Sequence, residues 1–153
     1  VRRRIVHVHA SLFGERGKGL ALRMEAPASA RCISDGTKLR QILLNLLSNA
    51  VKYTVAGEID LVVADSDEVI VVEVRDTGVG IAEADQQRIF DRFVQLENSL
   101  TRRYDGTGLG LSVCRDFARL IGAELRVRTR PGIGTIFTVG IPRGKQTGEL
   151  VNA

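Results

Sequence analysis

Apolar positions along this chain repeat with two different periods. Over residues 38–53, Leu39, Ile42, Leu43, Leu46, Leu47, Ala50 and Val51 fall on one broad face at helical spacing, which predicts a helix over 36–53. Leu109, Val113, Phe117, Leu120 and Ile121 share a face in the same way and predict a helix over 109–121. Ile5, Val8, Leu12 and Phe13 make a weaker helical stripe, predicting a helix near 3–16. A short helix is expected over 83–93, with Phe90 and Phe93 on one side as an apolar anchor. β-Branched and apolar runs predict strands near 19–25, 57–64, 69–75, 124–130 and 134–141. Asp65-Ser-Asp-Glu68 and Pro131-Gly132 are expected to be hairpin turns. Residues 96–105 are polar and aperiodic, a loop of lid-like length. Antiparallel neighbours with helices on one face imply an α+β, two-layer α/β sandwich with a mixed, mostly antiparallel sheet. One domain is expected over 1–142, with 143–153 a polar tail or linker.

The polar side of the first long helix is unusual. Lys38, Gln41, Asn45, Ser48, Asn49 and Lys52 share an arc. A merely solvated arc favours Glu, Lys and Arg, whereas Asn is a poor helix former. Asn at i and i+4 followed by Lys at i+7 fits groups aimed at a ligand. An amide oxygen binds a hard cation, and an ammonium binds phosphate. Taken alone, a solvated face with two chance Asn explains it as well.

Three further segments carry ligand chemistry. The strand ending at Arg75 leads into Asp76-Thr77-Gly78-Val79-Gly80-Ile81. An ionised carboxylate only accepts hydrogen bonds, so Asp76 suits an exocyclic amine such as that of adenine. The nearby glycines allow backbone to approach a flat ligand; a simple Asp turn is the alternative. Gln87 to Gln95 holds Phe90-Asp91-Arg92-Phe93. Gly106-Thr107-Gly108-Leu109-Gly110-Leu111 opens a helix, where free N–H groups and the positive helix end attract phosphate. Its G-x-G-x-G spacing with no strand before it is not a dinucleotide fingerprint, and no Lys-Ser/Thr follows to make a Walker A loop.

Together these segments resemble the N, G1, F and G2 boxes of the catalytic ATP-binding domain of sensor histidine kinases, within the GHKL, or Bergerat-fold, superfamily. The matching stretches are Asn45 to Thr54, Asp76 to Ile81, Phe90 to Phe93 and Gly106 to Leu111. The resemblance runs from about Gly19 to Pro142 and implies a Bergerat ATP-binding fold. It implies ATP and Mg²⁺ as ligands, with Asn49 giving its amide oxygen to the metal. It further implies that Asn45 lines the phosphate site, Lys52 contacts phosphate and Tyr53 packs near the adenine or ribose. Asp76 would accept from the adenine amine, Gly78, Gly80 and Ile81 would admit the base, and Thr135 would complete its pocket. Gly106, Thr107, Gly108, Leu109, Gly110 and Leu111 would wrap the phosphates. Asn45, Lys52 and Arg92 would serve catalysis, Arg92 with the lid arginines Arg102 and Arg103 steadying the γ-phosphate.

Some positions depart from that pattern. Asp105 stands where many relatives have Gly. Gln95 replaces a frequent Arg, and Phe93-Val-Gln95 with Thr101-Arg-Arg-Tyr104 is similar to the hybrid-kinase branch. The family's phosphoacceptor His sits on a preceding dimerisation segment. His7 and His9 lack its context and are expected to be non-catalytic. The chain starts at Val1, so it is expected to be a piece of a longer kinase. Its implied partners are the histidine-bearing dimerisation domain and, downstream, a response-regulator receiver domain. A serine kinase of the anti-sigma type, a superfamily ATPase and a non-catalytic nucleotide-sensing module are the rival readings. The ATPases place a Glu where Asn45 stands.

Composition narrows little more. With 22 Lys and Arg against 18 Asp and Glu, the net charge of +4 is modest and the arginines gather near the lid, so no nucleic-acid partner is expected. No run is apolar enough to span a membrane, so no direct membrane contact is expected and a cytoplasmic location is. Cys32 and Cys114 are isolated, which argues against a metal site or disulfide; Cys32 is expected on a strand and Cys114 on a helix face.

Overall fold

The computed structural model describes residues 3–9, 20–27, 30–96 and 107–143. Alternation along its strands decides which side of the sheet is buried. Leu20 and Leu22 of β2 (Leu20–Pro27), Ile59 and Leu61 of β3 (Gly57–Asp65), and Ile70, Val72 and Val74 of β4 (Val69–Asp76) all point into the core. Phe137, Val139 and Ile141 of β6 (Gly134–Pro142) join them, and Leu125 and Val127 of β5 (Glu124–Arg130) pack against the group. Side chains two apart share a face, so each strand contributes one apolar row.

Two helices cover that face. α1 (Gly36–Tyr53) buries Ile42, Leu46, Ala50 and Val51 and packs against β4; α3 (Gly110–Leu120) buries Cys114 and Ala118 and packs against both α1 and β5. Each aliphatic side chain so enclosed stabilises the fold by roughly 1.5–3 kcal/mol. α1 starts where it does because the Asp35 carboxylate accepts from the Lys38 N–H at 3.0 Å, capping the first turn. The Lys38 ammonium, which donates to the same carboxylate, and then the cap bond hold the Asp35 carboxyl below its ordinary pKa.

With β1 as Arg3–His9, the strand order is β1-β2-β3-β4-β6-β5. β2 and β3 are parallel, joined across α1, and the other neighbours are antiparallel. The opposite face carries ion pairs instead of helices. Arg23 reaches Asp60 at 2.7 Å and Glu58 at 3.0 Å, and Arg75 pairs with Glu73. Exposed pairs like these add little stability, but they keep that face wet. The two-layer α+β expectation therefore holds, with the helices on one face.

Several expectations are corrected. Residues Arg3–His9 form strand β1, antiparallel to β2, and not the start of a helix over 3–16. Ile5, Val6 and Val8 are β-branched, and an available sheet edge outweighs a loose helical stripe; Leu12 and Phe13 lie outside the described residues. The helix expected over 83–93 shrinks to α2 (Glu83–Gln86), followed by turns. Phe90 and Phe93 therefore do not share a face. Phe90 meets Phe137 edge-on at 6.4 Å, while Phe93 is 75 % exposed with φ +63°. Cys32 lies in the irregular segment before Asp35, not on a strand. Arg143, expected to begin the tail, donates its N–H to the Glu68 carbonyl and pairs with Asp65. Residues 144–153 and the lid residues Arg102, Arg103 and Asp105 lie outside the described residues.

Cys114 packs as expected. It is fully enclosed, its Sγ reaches the Ile42 carbonyl at 3.7 Å, and burial pushes its thiol up to about 11. Cys32 is half-buried. A maleimide should therefore modify the native protein at Cys32 alone, and Cys114 only after unfolding, because the thiolate is the nucleophile. Peptide mass mapping checks this; rapid native labelling of Cys114 would contradict it.

Candidate functional site

The last two turns of α1 and the ends of β4 and β6 enclose a cavity of about 270 Å³. Helical spacing brings Asn45, Ser48, Asn49, Lys52 and Tyr53 to its wall from α1. Asp76 enters from the end of β4 and Thr135 from its register partner on β6. The turn after β4 gives Val79, Gly80 and Ile81. Thr107, Gly108, Gly110 and Leu111 close the side toward α3.

Burial pushes the Asp76 carboxyl above its ordinary value, and hydrogen bonds from the Gly78 and Thr135 N–H groups partly offset this. The Gly78 bond measures 2.9 Å. Gly78 does not line the cavity; it sits behind Asp76. A Cβ there would run into the Tyr53 carbonyl oxygen and come within 2.8 Å of both Asp76 Oδ1 and Thr54 Oγ1, so only glycine permits this packing. Gly108 is needed for another reason. Its φ is +68°, and a Cβ would meet the Phe93 backbone at 2.8 Å.

Thr135 is buried, with its hydroxyl 3.0 Å from that of Thr129. Thr129 donates its one proton to the Gly134 carbonyl at 3.1 Å and accepts from the Ile81 N–H at 2.9 Å. At the contact between the two hydroxyls Thr135 must therefore be the donor. Thr135 and Asp76 thus both present acceptor oxygens to this end of the cavity. Val79, Ile81, Ile89 and Phe137 add apolar wall. Two acceptors and a greasy slot suit a flat heterocycle bearing an amine.

The wall supplied by α1 is polar and basic. Lys52 Nζ stands 5.1 Å from the centre of the Tyr53 ring. The two Asn side chains are in different states. Asn45 is engaged at both ends, accepting from Gln41 at 3.0 Å and donating to the Gly110 carbonyl at 3.2 Å. Asn49 lines the cavity and takes no hydrogen-bond partner among the described residues. Its amide oxygen is the one left available to a ligand.

Besides Gly78, two expected residues fall outside the cavity wall. Arg92 does not line the cavity; its guanidinium pairs with Asp116 of α3 at 3.1 Å. Leu109 borders a groove on the outer side of the α1–α3 contact. Gly106 lies outside the described residues. The structure also adds wall residues the motifs omit: Ile89, Val94, Gln95, Leu96 and Phe137. Phe137 could have been found, since it lies two residues beyond Thr135 on the same face of a strand. The rest come from a turn region whose path is not periodic.

The sequence profile of the family described as histidine kinase-, DNA gyrase B-, and HSP90-like ATPase matches residues 34–145. The chain belongs to this ATPase family. It is also similar to a segment of longer sensor kinases. It is 37% identical over 142 residues to the autoinducer 2 sensor kinase/phosphatase LuxQ of Vibrio cholerae, covering 90% of this chain and 17% of that protein. It is 39% identical over 124 residues to the sensor histidine kinase RcsC of Escherichia coli, covering 81% of this chain and 13% of the relative. The chain thus spans about a sixth of the length of these curated relatives. Among solved structures, full-length ShkA in complex with AMPPNP superposes with a TM-score of 0.70 at 32% identity, over 93% of this chain and 32% of that one. The catalytic domain of histidine kinase ThkA gives 0.64 at 25% identity, over 92% and 98%. This ATPase-family domain therefore carries the Bergerat fold of histidine-kinase ATP-binding domains. Among the described residues no helix is long and apolar enough to cross a membrane.

Proposed function

We propose that this domain binds Mg²⁺-ATP in the cavity and presents the γ-phosphate to a histidine on a separate phosphoacceptor domain, in two-component signalling. The observation carrying this is the mixed lining of one cavity: acceptors Asp76 and Thr135 beside apolar Val79, Ile81 and Phe137, with Asn49 and Lys52 presented from α1. The adenine amine would donate to Asp76, with Thr135 beside it and Tyr53 along the base or ribose. Lys52 and the N–H groups opening α3 would meet the phosphates. Asn45 would border them and hold Gly110 in place. Arg92 would join them only by leaving Asp116, an exposed pairing of the kind that costs little to break.

The donor set fits a metal that arrives with the nucleotide. Asn49 offers a single neutral oxygen, and the described residues hold no group of three or more His, Cys, Asp or Glu that could cage an ion. Mg²⁺ is commonly held this way, by one or two protein oxygens plus phosphates and water, and it would offset phosphate charge during transfer. The chain's own residues position the reactants and do no covalent chemistry themselves.

The kinase reading is favoured over a water-activating ATPase by position 45. An Asn there cannot act as a base toward water. A histidine-bearing partner domain and a receiver domain downstream follow as proposed partners. So does a cytoplasmic placement, on the side where ATP is available.

Calorimetric titration with AMPPNP, with and without Mg²⁺, tests binding. Incubation with γ-labelled ATP and a histidine-bearing dimerisation domain tests transfer. Mg²⁺-dependent binding and an acid-labile, base-stable label on the partner are expected. Acid-stable serine label would indicate the anti-sigma reading, and steady phosphate release by the chain alone would indicate an ATPase. Absence of binding by the folded chain would leave an interaction module.

A further inference from the structure

We propose that Gln41 is a positioning residue for the phosphate end of the cavity, acting through Asn45 on the start of α3. Gln41 Nε2 donates to Asn45 Oδ1 at 3.0 Å, and Asn45 Nδ2 donates to the Gly110 carbonyl at 3.2 Å. The directions follow from the chemistry. A carbonyl oxygen can only accept, so Asn45 must turn its NH₂ toward Gly110. Its oxygen then faces back along α1, and the group one turn earlier must be a donor. Gln41 supplies it.

The relay joins segments distant in sequence. Gly110 is the first residue of α3, and Asn45 and Gly110 border both the nucleotide cavity and the groove outside it. Gln41 borders the groove only, so it stands outside the proposed ligand's reach. No side chain caps the first turn of α3: Leu109 sits at the cap position without a side-chain bond, and Ser112 Oγ donates to the Leu109 carbonyl. The opening N–H groups of α3 are therefore left for a phosphate, and their aim relative to Asn49 and Lys52 depends on how α3 is fastened to α1. The Asn45–Gly110 bond fastens the first residue of α3 to α1, beside the Cys114 Sγ contact to the Ile42 carbonyl one turn along the helix. Gln41 fixes the amide orientation that makes this bond possible.

This proposal rests on the reading that the cavity takes Mg²⁺-ATP. The test compares AMPPNP with adenosine, which lacks the phosphates, on the 153-residue chain. Gln41→Met keeps side-chain length and helix propensity while removing the donor. AMPPNP affinity should fall roughly fivefold, the worth of one hydrogen bond, with adenosine affinity held within about twofold. In an Asn45→Ala background, Gln41→Met should have no further effect on AMPPNP binding. Unchanged AMPPNP binding, equal losses for both ligands, or an undiminished effect in the Asn45→Ala background would overturn the relay. Wild-type protein binding neither ligand would instead overturn the nucleotide reading itself, and the relay with it.

Discussion

Asp76→Ala is expected to weaken AMPPNP binding by roughly 10- to 100-fold, the cost of losing a hydrogen bond to a charged acceptor at a desolvated site. Adenosine should lose about as much, because the contact is to the base. Asp76→Asn separates charge from shape. It keeps an oxygen able to accept from the Gly78 N–H but removes the buried charge. Burial raises the Asp76 carboxyl above its ordinary 3.8, so the folded chain holds a proton at pH values where the unfolded chain has released it. Stability from this group therefore falls as pH rises through that window, and stays lower above it. At about pH 7, Asp76→Asn should leave the thermal midpoint of the unliganded domain unchanged or higher while binding falls. Wild-type binding has the opposite dependence. As pH drops through the raised value, Asp76 gains a proton and becomes a poorer acceptor, so affinity falls sooner than an ordinary carboxylate would dictate. Calorimetry and thermal melts across that range check both signs. Undiminished binding by Asp76→Asn and Asp76→Ala would place the base elsewhere.

Much of this fold was readable because its strongest signals are local. The spacing of Leu39 to Val51 puts α1 at residues 36–53, matching the helix found. The two hairpins followed from turn residues flanked by β-branched runs. The failures concern partners that spacing cannot reveal. Arg3–His9 becomes a strand only because β2 offers an edge, and no local pattern reports that offer. Phe93 resembled an anchor beside Phe90, yet its N–H bonds to the Gly108 carbonyl in a left-handed turn and its ring is exposed. In the site, the motif glycines and Asn residues announced themselves by type. What they do within the fold did not. Asn45 and Gly110 stand 65 positions apart, and Arg92 and Asp116 stand 24 apart. Both contacts depend on α3 docking beside α1, a consequence of the buried Cys114 and Ala118 face and not of any motif.

Asn49→Ala is the second change with a large expected effect, and the contrast between the two Asn residues decides its form. Asn45 spends both ends of its amide inside the protein, so its loss should loosen α3 and weaken triphosphate binding by degrees. The Asn49 side chain has no hydrogen-bond partner among the described residues, so its removal should break no side-chain hydrogen bond there. The unliganded thermal midpoint should stay within the small range usual for substitutions away from core and caps, about ±0.5 kcal/mol in stability. Adenosine binding, governed at Asp76, should also persist. What should vanish is the gain in AMPPNP affinity on adding Mg²⁺, together with phosphorylation of a histidine by the full kinase. That activity should fall by roughly a hundredfold or more, as when other single groups that stabilise transition-state charge are removed. Asn49→Asp retains an oxygen ligand and should recover part of the Mg²⁺ dependence, at the cost of repulsion between its charge and the phosphates. If Asn49→Ala phosphorylates at the wild-type rate with its Mg²⁺ response intact, the cation is held by other groups and the division of labour along α1 must be redrawn. If instead it loses adenosine binding or unfolds early, Asn49 is a packing residue of the cavity wall, and its free amide oxygen has no bearing on the metal.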